Sequence, residues 1–477
     1  MNPFLNPFNG LPFLKNYFTV PMRLKNYDQS KMKKHQDAAF RDVITYAFTV
    51  PLYQKKYKKA GITPEDITGI QDITKLPFIT KKDIVEHYPD GILPVDYDRK
   101  NAFVASTSGS TGKPVSVYVD FPTLAQGLLL SVRQGKTYQY NVRTAKIASI
   151  GTFHQGRIDR VYDDAIVNHT QLFRKSDNYL SMNAFDPIKD IIKKLNEFHP
   201  NIIYTYPIIL QHLAYFKKKG YCDNINPTIL QVGGYSMDQY TREYISDAFH
   251  CPIVNLYQSV EACGTIAYEC LQGTWHINTD FYHVEVIDEH NNLLPRGERG
   301  HIVVTRLFGR GTPIIRYTGM DDWITLGEHY ECSCGYTTPI FKNGVEGRVS
   351  ARVILPDGRV YPAASFELVS LVLTELKTYK ITNFQTIQNK IDDIEIHLVV
   401  DNDLRNTEPS LDFIFKKVYE KYREKCGPSV HITVKEVTEI KSPQNKPAPL
   451  VISKINLEEG YKILEKKEET QKRKKET

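Results

Sequence analysis

Apolar residues along this 477-residue chain change their spacing several times, and each change marks a different kind of element. Between residues 28 and 88, Phe40, Val43, Ile44 and Ala47 recur at helical spacing, and Thr80-Lys81-Lys82-Asp83 has the make-up of a capped helix start. Two short apolar runs, 102–105 and 115–119, read as strands around a hydroxyl-rich stretch. Beyond them the pattern predicts a helix over 123–133, a strand over 146–151 and a helix over 186–197. A strand over 229–232 ends in Gly233-Gly234, followed by a helix over 238–249 and a strand over 252–256. Strands alternating with helices predict an α/β core.

From 281 to 307 the period becomes two: His283-Val284-Glu285-Val286-Ile287, a turn near Asn291-Asn292, then a second alternating run. A new unit begins near Gly347. It carries a hairpin turn at Pro356-Asp357-Gly358, a helix over 365–376, a strand over 394–400 and a further strand over 430–434. Between those strands Leu411, Ile414, Phe415, Val418, Tyr419 and Tyr422 mark one helical face. The predicted fold class is therefore α/β. A large N-terminal domain over 1–346, helical to about 95, has β-sheets and a β-barrel-like section, and a small mobile α+β lid covers 347–456. Residues 457–477 read as a charged, disordered tail.

Composition narrows the function classes. The net charge is +6, and much of the basic excess sits in the Lys-rich tail from Lys462 onward, which argues against nucleic acid as a partner. No run of about 18 apolar residues exists, so no membrane span is expected. The Phe- and Pro-rich start, residues 1–23, lacks a basic lead and an unbroken apolar region; it reads as an arm packed on its own domain rather than a signal peptide. Seven cysteines, an odd count, suit a reducing cytoplasmic setting.

The chemistry concentrates in five stretches. Ser106-Thr107-Ser108-Gly109-Ser110-Thr111-Gly112-Lys113-Pro114 joins the two early strands, and a hairpin tip of this make-up can wrap an anion with successive amides, hydroxyls and one ammonium. It is not a Walker A loop, because two residues rather than four separate Gly109 from Gly112 and Pro114 follows Lys113. Tyr257-Gln258-Ser259-Val260-Glu261 lies directly after a strand, where open α/β sheets present ligand-binding groups. Arg316-Tyr317-Thr318-Gly319-Met320-Asp321 places a carboxylate after a turn. Gly347-Arg348 marks the boundary between units, and Lys441-Ser442-Pro443-Gln444-Asn445-Lys446 is a Pro-containing loop near the end of the second.

In order and spacing these stretches resemble the adenylate-forming superfamily of acyl- and aryl-CoA ligases, within it the phenylacetate-CoA ligase-like branch. Leu76-Pro77-Phe78-Ile79-Thr80-Lys81-Lys82-Asp83, Tyr88-Pro89-Asp90-Gly91 and Leu294-Pro295-Arg296-Gly297-Glu298-Arg299-Gly300 resemble text of that branch, and the likeness runs over about 35–455. The resemblance implies that Ser108, Gly109, Ser110, Thr111, Gly112 and Lys113 hold the β- and γ-phosphates of ATP. It places Gly233, Gly234 and Tyr235 along the adenine, with Tyr257 against its face, Ser259 at the α-phosphate and Glu261 on Mg²⁺. Asp321, helped by Arg348, would bind the ribose, and Lys446 would bridge the substrate carboxylate and the α-phosphate. Four of these motifs depart from the family pattern. Tyr235 stands where an acidic residue is usual, Met320-Asp321-Asp322 replaces Gly-Asp so that either carboxylate could meet the ribose, Ser350 and Ala351 replace acidic hinge residues, and Asn445 replaces Gly.

A separate group is Cys270, His276, Cys332 and Cys334. A Cys-x-Cys pair can chelate, and a hairpin fold could gather all four as a closed Cys₃His zinc set; the alternative is inert buried thiols. Three functions remain in view. The first is an ATP-dependent ligase passing an acyl or aryl group to coenzyme A. The second is an adenylating enzyme with an amine, hydroxyl or carrier-protein acceptor, and the third a non-catalytic nucleotide-binding protein. The resemblance also implies a possible homodimer.

Overall fold

The computed structural model describes residues 2–107, 114–153, 155–172, 175–234, 237, 239–320, 322–348, 352–362, 366, 368–378, 380–441 and 450–455. Its N-terminal helices are α1 (Pro7–Asn26), α2 (Gln29–Ala47), α3 (Pro51–Lys59) and α4 (Lys81–His87). Phe40, Val43, Ile44 and Ala47 form the buried face of α2, as their spacing predicts. Thr80 and Asp83 make a reciprocal capping box at the start of α4. The Phe- and Pro-rich arm is itself mostly helical in α1: Pro7 sits in the first turn, while Pro12 and Pro21 lie inside. Phe13, Val20 and Leu24 of α1 are buried.

Strands β1 (Ala102–Ser106) and β2 (Ser116–Asp120) pair antiparallel as a separate hairpin. Helix α5 (Phe121–Thr137) follows, then β3 (Ile147–Gly151), α6 (Ile158–Ala165), β4 (Tyr179–Asn183), α7 (Ile188–Phe198), β5 (Ile202–Thr205), α8 (Pro207–Lys218), β6 (Ile229–Gly233), α9 (Gln239–Phe249) and β7 (Ile253–Ser259). Strands β3 to β7 run parallel, and every residue of β6 is buried, as expected of a strand covered on both faces.

The chain then turns antiparallel through β8 (Gly264–Glu269), β9 (Trp275–Ile277), β10 (Tyr282–Ile287), β11 (Arg299–Arg306), β12 (Asp322–Glu331) and β13 (Thr337–Arg348). These strands continue the parallel half, so one 11-stranded sheet has the order β10-β11-β12-β13-β9-β8-β7-β6-β5-β3-β4.

One buried ionic cluster ties the start of the chain to this sheet. Arg133 on α5 donates to both oxygens of Asp280, at 2.9 and 2.5 Å, and to the carbonyl of Val20 on α1, while Arg23 reaches Asp280 at 3.0 Å. Arg133 is fully buried and Asp280 nearly so.

Two compact units emerge, one of Met1–Ile209, Tyr221–Tyr235 and Phe249–Val345, the other of Leu210–Gly220, Ser236–Ala248 and Glu346–Thr477. In the C-terminal part, β14 (Arg352–Ile354) and β15 (Val360–Pro362) form the hairpin at Pro356-Asp357-Gly358. Helix α10 (Leu368–Glu375), β16 (Ile381–Lys390), β17 (Asp393–Val400), α11 (Leu411–Cys426), β18 (His431–Glu436) and β19 (Val451–Ser453) follow, with sheet order β18-β17-β16-β19. The buried row of α11 is Ile414, Val418, Tyr422 and Cys426, while Tyr419 is exposed. Among the described residues no helix is long and apolar enough to cross a membrane.

Candidate functional site

The hydroxyl-rich loop springs from a closed stem. Ser106 and Ser116 share a hydroxyl hydrogen bond of 2.7 Å, the Thr107 amide donates to the Val115 carbonyl, and the Val115 amide donates to Thr107 Oγ1. The stem is anchored from β3's side of the fold: the Ser106 amide bonds Gly156 O, and the Arg157 guanidinium donates to Ser106 O at 3.2 Å. Ser108, Gly109, Ser110, Thr111, Gly112 and Lys113 lie outside the described residues. So do Tyr235, Asp321 and Lys446, and of Arg348 only the backbone is described, at the end of β13.

Gly233 and Gly234 close β6 where its neighbours leave no room for a side chain. A Cβ on Gly233 would stand 2.6 Å from Tyr204 Oη, and one on Gly234, whose φ is +82°, would stand 2.8 Å from the Tyr206 ring. Tyr204 cannot give way freely, because its hydroxyl donates to Gln258 Oε1 at 2.6 Å, and Gln258 Nε2 donates to Thr265 at 2.8 Å. Gly233→Ala is therefore expected to destabilise the protein by about 1–3 kcal/mol, the usual cost of overpacking. Adding Tyr204→Phe, which removes the obstructing atom, is expected to recover part of the loss. Thermal unfolding of the single and double variants checks both.

The Tyr257-Gln258-Ser259-Val260-Glu261 stretch ends β7 beside a bulge. The β7–β8 register slips between Tyr257 and Gln258, which re-aims the side chains that follow. Ser259 Oγ accepts from the Ala262 amide and its carbonyl from the Cys263 amide, so the chain turns tightly and carries Glu261 inward. Glu261 is buried, with Tyr317 donating to its Oε1 at 3.1 Å. Burial pushes the Glu261 carboxyl up from the ordinary range, while its own backbone amide, the Tyr317 and Ser259 hydroxyls and the charge of Lys81 pull it down. Tyr317 in turn has its phenol pushed up by burial and by Glu261. A buried carboxylate of this kind, offering a hard oxygen at a strand's C-terminal end, fits a magnesium ligand.

Tyr257 packs edge-on against Phe341 and donates its hydroxyl to Asp322 Oδ2 at 2.7 Å. Of the two adjacent carboxylates, the described one is thus engaged in fixing the tyrosine. Arg316, a non-glycine residue at φ 45°, forms a two-pronged ion pair with Glu285 at 2.9 and 3.1 Å and donates to Leu76 O at 2.6 Å. Its guanidinium lies 4.0 Å from the Phe78 ring centroid, and backbone bonds join Ile79 to Arg316 and Thr318. The Leu76-Pro77-Phe78-Ile79 text and the Arg316-Tyr317 motif, far apart in sequence, are one clasp beneath Glu261. Sequence reading assigned no role to Tyr317, although it lies within a quoted motif, nor to Gln258, whose bond to Tyr204 has no sequence signal.

Cys270, His276, Cys332 and Cys334 do come together, their ligand atoms all within 4.8 Å of one another. They sit where the β8–β9 and β12–β13 turns meet, away from the strand ends that carry Glu261 and Gly233.

The family described as the CapK C-terminal domain matches residues 367–454. A phenylacetate-coenzyme A ligase of Thermus thermophilus is 25% identical over 368 residues, 74% of this chain and 78% of the relative. Protein CapK of Staphylococcus aureus is 24% identical over 447 residues, 90% of each chain. Among solved structures, 2-hydroxyisobutyryl-CoA ligase in the postadenylation state with 2-HIB-AMP has a TM-score of 0.74 at 18% identity, covering 93% of this chain and 94% of that one. That last likeness is one of fold.

Proposed function

We propose, from the premise that this chain is an AMP-forming ligase of the adenylate-forming, phenylacetate-CoA ligase-like family, that it joins a carboxylic acid to the α-phosphate of ATP and passes the acyl or aryl group to coenzyme A. The observation that carries this reading is Glu261, a buried carboxylate at the end of β7, held from one side by Tyr317. A buried carboxylate is costly unless a polar partner or a bound cation compensates it, and magnesium would do so here.

In this reading the acid's carboxylate attacks the α-phosphorus and pyrophosphate leaves, so the protein's share is positioning and charge neutralisation. Magnesium, held by Glu261, would offset charge on the phosphate oxygens. The closed Ser106–Ser116 stem gives the loop of Ser108 to Lys113 a fixed base from which to hold the β- and γ-phosphates. Tyr257, pinned by Asp322, and the side-chain-free backbone of Gly233 and Gly234 supply flat walls for adenine. Ser259 is the proposed α-phosphate contact, and Asp321 with Arg348 the proposed ribose contacts. Lys446 is the proposed bridge between acid and α-phosphate.

The acid is proposed to lie against residues 153–156, 204–207 and 232–235, and the groups at the ends of β3 and β5 there suit a polar acid. Tyr206 and Thr152 share a hydroxyl bond of 3.0 Å, and Asp159 accepts from the Thr152 amide at 2.8 Å. An acid bearing a hydroxyl or an amine suits these groups better than a bare ring.

A second reading keeps the adenylate but gives the acyl group to an amine, a hydroxyl or a carrier protein. The CapK likeness, which spans nine-tenths of both chains, favours it. Acid-dependent ATP–pyrophosphate exchange across a panel of acids tests the adenylation, and mass spectrometry after adding coenzyme A separates the acceptors. A thioester supports the first reading; exchange without one supports the second. Lys446→Ala is expected to abolish exchange and leave ATP binding nearly intact. Unchanged exchange in that variant would place the bridging role on another lysine.

A further inference from the structure

We propose that Cys270, His276, Cys332 and Cys334 bind one zinc ion that clamps two hairpin turns of the sheet together. The two turns are built alike. In each, a Cys is followed three residues later by a Gly at positive φ, Gly273 at 77° and Gly335 at 90°. In each, the Gly amide donates to the Cys carbonyl, at 2.9 and 2.8 Å. The Cys amide in turn donates to the carbonyl four residues on, at 2.8 Å to Thr274 and 3.0 Å to Tyr336. Two knuckles of one design thus face each other, Cys270 leading the first and Cys332 the second. Cys334 lies inside the second knuckle, and His276 stands on β9 just past the first.

The distances suit a tetrahedral ion. Zinc–sulfur bonds of about 2.3 Å imply a sulfur–sulfur edge of about 3.8 Å, and a nitrogen ligand shortens its edges slightly. Cys270 Sγ and Cys332 Sγ are 3.8 Å apart, and Cys334 Sγ is 3.2 Å from His276 Nε2. The imidazole is already oriented, because His276 Nδ1 bonds Thr338 Oγ1 at 2.9 Å, which leaves Nε2 toward the sulfurs. Tyr336 packs edge-on against the His276 ring at 5.4 Å, and Cys270, His276 and Cys332 are buried. Three thiolates and one imidazole form a set of borderline softness with no position left open, which is the signature of a structural ion rather than a catalytic one. The seam beside it is short, since β9 and β13 are sheet neighbours over only two residue pairs, Ile340 with His276 and Phe341 with Trp275. The ion would hold this seam where the antiparallel strands join.

The test uses the full chain purified without a metal-affinity tag. Elemental analysis is expected to find about one zinc per chain. Alkylation followed by peptide mass mapping is expected to leave Cys270, Cys332 and Cys334 unlabelled until a strong chelator is added. Half-buried Cys251 labels at once in either case and serves as the internal reference. Chelation is expected to lower the melting temperature by about 10 °C or more, since a structural zinc contributes folding energy directly. His276→Gln and Cys334→Ser should each lose the ion, and if either fails to fold, the wild-type labelling still decides. Protein that holds no zinc even after incubation with it, with labelling of the three cysteines indifferent to chelator, would overturn the proposal. So would recovery of a Cys270–Cys332 disulfide from freshly isolated protein.

Discussion

Glu261→Gln is expected to cut acid-dependent pyrophosphate exchange by about 10²- to 10³-fold, the usual cost of removing one preorganised electrostatic group from a site of developing charge. The substitution keeps the shape and an oxygen for the Tyr317 hydroxyl, so stability should change little. What it removes is a full negative charge at the end of β7. The remaining exchange should need much more magnesium for half-saturation, because an amide oxygen is a far weaker ligand for a hard cation than a carboxylate. Tyr317→Phe leaves the charge in place but deprives it of a hydrogen bond, and about tenfold is expected there. Steady-state exchange at graded magnesium checks both. A Glu261→Gln enzyme with wild-type exchange and wild-type magnesium response would remove Glu261 from the site.

The second large effect is on stability. Asp280→Asn is expected to destabilise the protein by about 3–5 kcal/mol, because it strands the guanidiniums of Arg133 and Arg23 in the interior. The loss should exceed that of replacing all three residues together, Arg23→Met, Arg133→Met and Asp280→Leu, which removes the charges along with their partner. The same cluster sets an acid limit. Burial pushes the Asp280 carboxyl up, but the Arg133 and Arg23 guanidiniums more than offset it and hold the folded value below the usual carboxylate range. A depressed folded value contributes stability that is present in full above the unfolded carboxyl's pKa, about 3.9, and is lost as pH falls through the lower folded value. Acid unfolding monitored by circular dichroism should show this contribution in the wild type and not in Asp280→Asn. Equal midpoints for the two would contradict the assignment.

Much of the first unit was legible because its elements are locally consistent. Strands β3, β6 and β7 read as such from their apolar runs, Thr80 and Asp83 announce α4, and the Gly233-Gly234 pair closes a strand with turn chemistry. The half-buried Tyr179-Leu180-Ser181-Met182-Asn183 of β4 and the four-residue β5 do not stand out. Helix α1 was harder to see. Pro12 and Pro21 interrupt its pattern, and its inner face, Phe13, Val20 and Leu24, is stabilised by tertiary packing and by the Val20 carbonyl's bond to Arg133. No local signal reports a partner more than 100 residues away.

The same limit applies at the candidate site. Glu261 could be singled out as a carboxylate after a strand, but the Tyr317 hydroxyl reaches it across 56 positions. Spacing alone could not choose between Asp321 and Asp322, since only the fold brings the Asp322 carboxylate to Tyr257, 65 positions away. The four side chains proposed to hold zinc were readable as a group because Cys-x-Cys is rare and chemically directed. The paired knuckles that present them became visible only as backbone geometry.

The most direct measurement follows oxygen from the acid. With substrate carboxylate labelled in ¹⁸O, attack on the α-phosphorus and later release of the acyl group must leave one labelled oxygen in AMP and none in pyrophosphate, read by mass spectrometry of the nucleotide products. Label in AMP is the expected result. Unlabelled AMP, or labelled orthophosphate accompanied by ADP, would show that the acid's carboxylate does not attack where Glu261, Ser259 and Lys446 are proposed to bring it.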